Sequence, residues 1–356
     1  MPSQVNGCSV KTALGNRGVQ GALLAAVLFG AGTPFAKLLL GTVNPWLLAG
    51  LLYCGSGAGL VLFRLIRRQP RVRLSHGEFW PLAGAVLAGG IIAPLLLMFG
   101  LSVMPASGAS LLLNTEAVFT VLLAWLVFGE NVDRRILLGM VAIVTGAVLL
   151  SVPSVVSLGS VWPAAAVVGA CCAWALDNNL TRKVALHDAT WLAAVKGCVA
   201  GPVNLTLGLA LGASLPTPSR IASAMAVGFF AYGVSLALFI FGMRQLGTAR
   251  AGAYFSVAPF FGAMLAVALG EPVTGLLLAA AGLMAVGVWL HLTERHDHPH
   301  RHKPVTHSHW HSHDEHHQHD HDVEVPAQAP HRHQHTHTEL VHSHDHYPDA
   351  HHRHPH

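Results

Sequence analysis

Ten apolar segments of about 20 residues follow one another along most of the chain. A helix needs about 20 mostly apolar residues to cross the hydrocarbon core of a membrane, so this pattern predicts ten transmembrane helices. The segments are 18–40, 44–63, 79–99, 106–128, 135–151, 160–180, 190–212, 221–241, 248–269 and 272–291. After residue 293 the apolar pattern ends, and a polar segment runs to residue 356. The sequence therefore predicts an apolar body and a polar tail.

The basic residues between these segments predict how the body is oriented. With the N-terminus inside, the inside loops hold thirteen lysines and arginines, and the outside loops hold only Arg220. Cytoplasmic loops are enriched in Lys and Arg, so we expect both termini in the cytoplasm and the body in the cell inner membrane. The thirteen are Lys11, Arg17, Arg64, Arg67, Arg68, Arg71, Arg73, Arg134, Arg135, Arg182, Lys183, Arg244 and Arg250. Nine further spans follow the first, which predicts a retained helix and not a signal peptide.

The two halves of the body resemble each other around a Gly-Glu pair. AWLVFGENVDRRILLGMVAIVTGAVLL precedes the midpoint, and AVALGEPVTGLLLAAAGLMAVGVWL occurs near the end of the body. Placing Gly129-Glu130 over Gly270-Glu271 also aligns Phe119 with Phe260 and Gly146 with Gly287. In the predicted topology, one Gly-Glu turn faces inside and the other faces outside. Two five-helix repeats of opposite orientation are an architecture of secondary transporters.

Longer stretches around these pairs carry a family resemblance. LLLNTEAVFTVLLAWLVFGENV (111–132) and YFSVAPFFGAMLAVALGEPVT (254–274) are apolar helices that end in Gly-Glu, and FGAGTPFAKLLL (29–40) looks like a first helix. The chain resembles the drug/metabolite transporter superfamily in its ten-helix form with two EamA-type domains. The resemblance covers residues 18–291 and implies alternating access between the two halves.

We therefore expect an all-α polytopic membrane protein with four parts. These are a cytoplasmic N-terminus (1–17), a first repeat (18–151), a second repeat (152–293) and a disordered His-rich cytoplasmic tail (294–356). The tail is not part of the family pattern.

Composition removes several classes of function. Charged residues make up 11% of the chain, against about 25% in an average soluble domain. There is no nucleotide-binding or hydrolytic motif, which predicts that the protein is not an enzyme and requires no cofactor. The basic residues lie in short loops, so we expect no nucleic-acid partner. The expected partners are the lipid bilayer and a small-molecule or ion substrate, and a homodimer is compatible with the sequence.

Polar side chains within the predicted helices are the candidates for substrate binding or ion coupling, because such groups at membrane depth usually face a cavity or a partner. They are Glu116, Asp177, Asn114, Asn178, Asn179, Lys37 and Lys196. Glu116 could bind a cation or carry a coupling proton, and the asparagines could add hydrogen bonds. Alternatively, an acid and a lysine could pair with each other, and Lys37 could extend outward from its helix end. Val257 stands where Glu116 would repeat, so the expected site is asymmetric.

The tail holds most of the 26 histidines, since only His76 and His187 precede residue 291. Neutral imidazole binds nickel, cobalt, zinc and copper ions well, so the tail is predicted to bind a transition metal. The candidate ligands are His307, His309, His311, His313, His316, His317, His319, His321, His331, His333, His335 and His337. A solubilising segment and a pH sensor are the competing interpretations.

Three functions fit this pattern. The first is a secondary transporter of a small metabolite or amino-acid-like solute, with a tail that binds metal and regulates transport. The alternative is a transporter of divalent nickel, cobalt, zinc or copper, or of a chelate, with the tail holding cargo. A membrane-anchored metal buffer is the weakest, because an anchor does not need a buried acid such as Glu116.

Overall fold

The structure is a computed structural model. It describes residues 17–70, 72, 74–128, 134–151, 161–181, 184, 188–246 and 248–292 of the body, and residues 299–302, 305–311, 331–337 and 340–343 of the tail. The chain forms two compact units, Met1–Glu294 and Arg295–His356. Five predicted metal ligands, His313, His316, His317, His319 and His321, lie outside the described residues, as does Glu130.

Within the described residues, ten helical segments occupy the positions of the ten predicted spans, which confirms the all-α membrane fold of the body. Six helices within the described ranges are long and apolar enough to cross a membrane by themselves, and three shorter apolar helices accompany them. The segments are α1 (Arg17–Leu40), α2 (Pro45–Ile66), α3 (His76–Val103), α4 (Ala106–Leu112 and Thr115–Phe128), α5 (Arg134–Ser151), α6 (Trp162–Thr181), α7 (Ala189–Ala210), α8 (Pro218–Gly228, Phe229–Val234 and Ser235–Leu246), α9 (Thr248–Phe255 and Ala258–Ala268) and α10 (Gly275–Leu292).

Helix packing follows the two-repeat pattern. Helix α1 packs on α8 and α9, and its equivalent α6 packs on α3 and α4. Three further contacts join equivalent helices, namely α2 with α7, α4 with α9, and α5 with α10. An odd number of spans in each repeat places the second repeat in the opposite orientation. Every principal contact therefore has a counterpart in the other half.

The α5–α10 contact depends on the two glycines that the sequence alignment paired. A Cβ atom on Gly146 would lie 2.8 Å from Met284 Cγ, and one on Gly287 would lie 2.6 Å from Ile143 Cγ1. Small residues let helix backbones approach closely in membranes. Gly146 and Gly287 thus have the same packing role on opposite sides of one helix pair.

Two kinds of irregularity also recur in matching helices. The third helix of each repeat contains a π-helical turn, at Val86–Ile92 in α3 and at Phe229–Val234 in α8. The fourth helix of each repeat is interrupted, at residues 113–114 in α4 and at residues 256–257 in α9. Discontinuous helices in corresponding positions of two repeats are typical of the substrate region of secondary transporters.

Local chemistry explains the interruption of α4. The backbone N–H groups of Leu113 and Asn114 bond to carbonyls three residues back, which tightens the last turn. The Asn114 side chain then donates to Leu111 O over 2.9 Å. An asparagine that binds a nearby backbone carbonyl competes with continuation of the helix.

The described part of the tail consists of four short strands. Strand β1 (Pro299–His302) pairs antiparallel with β4 (Leu340–Ser343), and β2 (Val305–His311) pairs antiparallel with β3 (His331–His337). The sequence predicts disorder for this tail, and the other tail residues lie outside the described ranges.

Candidate substrate and coupling site

Glu116 and Asn178 meet between α4 and α6. Asn178 Nδ2 donates a hydrogen bond of 2.6 Å to Glu116 Oε1. Glu116 lies in the first turn after the α4 interruption and is half-buried, whereas Asn178 is exposed. Among the described residues, no lysine or arginine forms an ion pair with Glu116. The sequence predicted both residues, and the structure brings them together.

Asp177 and Lys196 form a separate, closed cluster with Thr181. Lys196 Nζ lies 2.5 Å from Asp177 Oδ1 and donates to Thr181 Oγ1 over 2.9 Å. Thr181 Oγ1 also donates to Asp177 Oδ1 over 2.8 Å. Asp177 is 6% exposed and Lys196 is 4% exposed. This geometry corresponds to the mutual pairing that the sequence left as the alternative to a substrate role.

In the π-helical turn of α3, two backbone carbonyls accept hydrogen bonds from side chains of neighbouring helices. Pro94 lacks an N–H group, so it cannot donate to Gly90 O four residues back. Asn204 Nδ2 donates to Gly90 O over 3.2 Å in its place. Gly89 O accepts Tyr53 Oη at 2.7 Å and Trp174 Nε1 at 3.1 Å. Side chains of α2, α6 and α7 thereby satisfy the carbonyls that the turn and the proline release.

Aromatic rings surround the same region from both repeats. The Phe29 ring centroid lies 6.0 Å from that of Trp174, 5.9 Å from that of Tyr232 and 5.4 Å from that of Phe255. The Tyr53 and Tyr232 centroids are 5.5 Å apart. The Phe29 pairs with Trp174 and Tyr232 are edge-to-face, an arrangement that contributes about 0.5–1.5 kcal/mol beyond the burial of area. The rings come from α1, α2, α6, α8 and α9, so they connect the two halves.

Some buried oxygen atoms lack a partner within the described part of the chain. They are Asn114 Oδ1, Asn204 Oδ1 and Ser110 Oγ. Buried polar atoms are usually hydrogen-bonded, so each of these oxygens is an acceptor that water or a bound solute can satisfy.

The other two predicted site residues make contacts elsewhere. Asn179 Nδ2 donates to Ala175 O of its own helix over 2.8 Å. Lys37 Nζ donates to Leu101 O over 2.8 Å and to Ser102 O over 3.3 Å, at the end of α3. Lys37 therefore binds the carboxyl end of a neighbouring helix, where a cation is favourable.

Glu271 joins the two repeats near Lys37. Its Oε1 accepts the Ala106 N–H over 2.7 Å and its Oε2 accepts the Ser107 N–H over 2.8 Å. These are first-turn N–H groups of α4, which have no acceptor within the helix. At the other end of the bundle, Arg64 of α2 pairs with Asp188, the N-cap of α7.

Comparison with known proteins identifies the two-repeat body. The family model described as "EamA-like transporter family" matches the chain twice, at residues 16–152 and 161–293. The chain belongs to the EamA-like transporter family. It is an integral membrane protein of the drug/metabolite transporter type, as the sequence resemblance indicated.

Several relatives of this EamA-like chain are named transporters. An uncharacterized transporter of Methanothermobacter thermautotrophicus is 29% identical over 287 residues, covering 75% of this chain and 84% of the relative. A probable amino-acid metabolite efflux pump of Salmonella typhimurium is 29% identical over 303 residues, covering 76% and 93%. The inner membrane transporter YedA of Escherichia coli K12, also uncharacterized, is 24% identical over 280 residues, covering 75% and 87%. A crystal structure with 20% identity superposes with a TM-score of 0.60 and covers 76% of this chain and 95% of its own, which supports the fold.

The sequence missed four contact residues of the EamA-like body: Tyr53, Trp174 and Asn204, which bond the π-helical turn of α3, and Glu271, which joins the two repeats. A signal for Trp174 was present, because Trp174, Asp177, Asn178 and Thr181 follow the i, i+3, i+4, i+7 spacing of one helix face. Glu271 was visible as half of the repeated Gly-Glu pair. Tyr53 and Asn204 carried no such signal, since their partner is the backbone of another helix.

Proposed function

We propose that the protein is a secondary transporter that exports a small amino-acid-like metabolite by alternating access. Glu116 would bind the cationic group of the solute or carry a coupling proton. Asn178 would hold the Glu116 carboxylate in position. The observation that carries this proposal is the Glu116–Asn178 contact, in which a half-buried carboxylate of the bundle has no described cation beside it. An ionisable group at membrane depth is costly, so one that is retained without a paired cation usually marks a functional site.

Asp177 is a weaker candidate for the same role. Lys196 and Thr181 already occupy its Oδ1, and it is almost fully buried. A solute could bind Asp177 only after displacing Lys196. We therefore assign Asp177 and Lys196 to the support of α6 and α7.

The solute class is inferred from aromatic and polar groups of the bundle and from a relative. Aromatic rings near the π-helical turns and unpartnered amide oxygens offer apolar contacts and acceptors to a small amphipathic molecule. The probable amino-acid metabolite efflux pump named above supports an amino-acid-like cargo and the outward direction.

An export assay tests this proposal. Cells that express the protein are loaded with dipeptides, which raise the internal amino-acid pools, and the amino acids released into the medium are quantified by mass spectrometry. We expect Glu116→Gln to abolish the added release, because glutamine keeps an acceptor for Asn178 but has no charge. Glu78→Gln is the matched control, since the Glu78 carboxylate accepts the backbone N–H and the hydroxyl of Ser75 at the start of α3. Full release by Glu116→Gln would overturn the proposed role of Glu116.

Orientation is part of the same proposal: both termini in the cytoplasm, in the cell inner membrane. Single cysteines at Arg68 and Ser214, both exposed between helices, would be labelled with a membrane-impermeant maleimide in a background without the native cysteines. We expect intact cells to label the Ser214→Cys variant only, and permeabilised cells to label both. Labelling of only the Arg68→Cys variant in intact cells would show that the topology is the reverse of the proposed one.

We further propose that the tail binds a nickel, cobalt, zinc or copper ion and regulates export. Its support is the density of imidazoles in the sequence. Among the described residues of the body, no group of three or more His, Cys, Asp or Glu side chains is placed to hold a metal ion.

Cellular metal content separates the two roles of metal. Nickel, cobalt, zinc and copper would be measured in cells that express the full chain, the chain ending at Arg295, or the Glu116→Gln variant. We expect metal content to follow the tail and to be unchanged by Glu116→Gln. A change that requires Glu116 would make the metal the cargo.

A further inference from the structure

The register of β2 and β3 places histidine opposite histidine. Residues 307, 309 and 311 of β2 face residues 335, 333 and 331 of β3, and all six are histidines. His337 faces Val305 at the end of the ladder. The pairing therefore creates three directly facing histidine pairs.

Strand geometry also puts these pairs on a single face. Alternate residues of a strand lie on the same face of a sheet, and facing residues share that face. The seven histidines of the two strands then share one face, and the six intervening residues share the other. The intervening residues are Thr306, Ser308, Trp310, Arg332, Gln334 and Thr336. Alternation of histidines within each strand does not by itself create facing pairs. A one-residue slip in register would place each histidine opposite a non-histidine residue.

We propose that this histidine face is a metal site made of cross-strand pairs, His307 with His335, His309 with His333, and His311 with His331, each of which binds one divalent transition-metal ion such as Zn²⁺. This inference rests on the proposed metal binding of the tail and specifies its ligands. Facing residues of an antiparallel pair have Cβ atoms about 4.5–5.5 Å apart. Imidazole nitrogens bind zinc at about 2.0–2.1 Å, so two facing histidines can share one ion.

The pairing has a thermodynamic consequence for the tail. An isolated two-stranded ribbon is marginally stable in water, and these strands contain few apolar residues. An ion bound by one histidine from each strand would stabilise the paired state by the free energy of its binding. The β2–β3 ladder would then form more completely when metal is present, which gives the tail two states that a transporter can use.

A test must remove the other histidines, which would otherwise mask the pairs. The starting variant is the full chain with every histidine after residue 295 replaced by asparagine, except the six of the three facing pairs. Two double substitutions are then compared in purified protein by equilibrium dialysis with Zn²⁺. His309→Asn with His333→Asn removes one facing pair. His309→Asn with His335→Asn removes the same number of histidines, one from each strand, but from different pairs.

The two variants have equal composition and different numbers of facing pairs. The first keeps two facing pairs and is expected to bind two Zn²⁺ ions. The second keeps only His311 with His331, and a slip by two residues would still give it a single pair, so one ion is expected. Equal stoichiometry in the two variants would overturn the paired arrangement.

The proposed metal binding of the tail fails in a different way. If the unsubstituted chain and the chain ending at Arg295 bind the same amount of Zn²⁺, the tail does not bind this metal and the paired arrangement fails with it. If the tail binds Zn²⁺ but the two double variants behave alike, metal binding holds and only the pairing is wrong.

Discussion

Lys196 and Asp177 form an ion pair between α7 and α6, with Lys196 Nζ 2.5 Å from Asp177 Oδ1 and both side chains almost fully buried. Removing one partner of such a pair leaves an uncompensated charge, which costs about 3–5 kcal/mol, whereas removing both charges is often close to neutral. The pair therefore stabilises the α6–α7 contact only while it is complete.

Single and double substitutions should distinguish the loss of one partner of the pair from the loss of both charges. We expect Lys196→Met to lower the thermal midpoint of the detergent-solubilised protein strongly, because Asp177 then lacks a cation. The double variant Asp177→Asn with Lys196→Met should recover most of the loss. A double variant that is no more stable than Lys196→Met alone would show that the two side chains are not coupled. Fluorescence-detected size-exclusion chromatography after heating provides the measurement.

Asn178 and Asn179 are adjacent in sequence, but only Asn178 bonds Glu116. We expect Asn178→Leu to reduce amino-acid release severely, since Glu116 loses its only described side-chain donor. Asn179→Leu should retain most release, because the Asn179 amide bonds a carbonyl of its own helix. The dipeptide-loading assay compares the two variants at equal expression. An equal loss in both would mean that any apolar substitution at this end of α6 impairs transport.

Gly89 leaves space for Asp177. A Cβ atom on Gly89 would lie 1.9 Å from Asp177 Oδ2, whereas a Cβ on Gly77 of the same helix would meet nothing within 4 Å. We expect Gly89→Ala to lower stability by about 1–3 kcal/mol, the usual cost of an added group in a packed core. Gly77→Ala should be neutral or slightly stabilising, because alanine favours a helix over glycine by about 1 kcal/mol. Thermal midpoints of the two variants check this, and equal midpoints would contradict the predicted crowding.

The sequence predicted the ten helical segments because a membrane span requires a long apolar run, and that requirement is local. It also predicted the Gly146–Gly287 equivalence, because repeats preserve packing positions. The pairing of Asp177 with Lys196, and of Glu116 with Asn178, depends on which helices are neighbours. Hydropathy does not encode that information, so the sequence could name these residues but could not assign their partners.

The sequence did not predict the π-helical turns, for a related reason. Pro94 signalled a missing backbone donor, but not that Tyr53, Trp174 and Asn204 would bond the released carbonyls. In the tail, the sequence displayed the alternation of histidines. Whether histidine faces histidine depends on the register between two strands that are distant in the chain.

Glu271 makes the other contact that hydropathy could not assign, because its carboxylate accepts two backbone N–H groups at the start of α4. This contact joins the loop after α9 to the opposite repeat. In the proposed alternating access the two halves move relative to each other, so a motion that opens this end of the bundle must break both bonds. We expect Glu271→Gln to weaken the contact by about 1 kcal/mol, because hydrogen bonds to an ionised carboxylate are stronger than those to a neutral amide.

The control for Glu271→Gln is Glu78→Gln, which removes a comparable charge at the start of α3, where the carboxylate accepts from Ser75 of the same repeat. Both substitutions should lower the thermal midpoint slightly. Only Glu271→Gln should change the rate of amino-acid release, because only its bonds oppose the opening of one end. If both variants alter release equally, the effect comes from lost stability, and Glu271 does not restrain the motion of the two repeats.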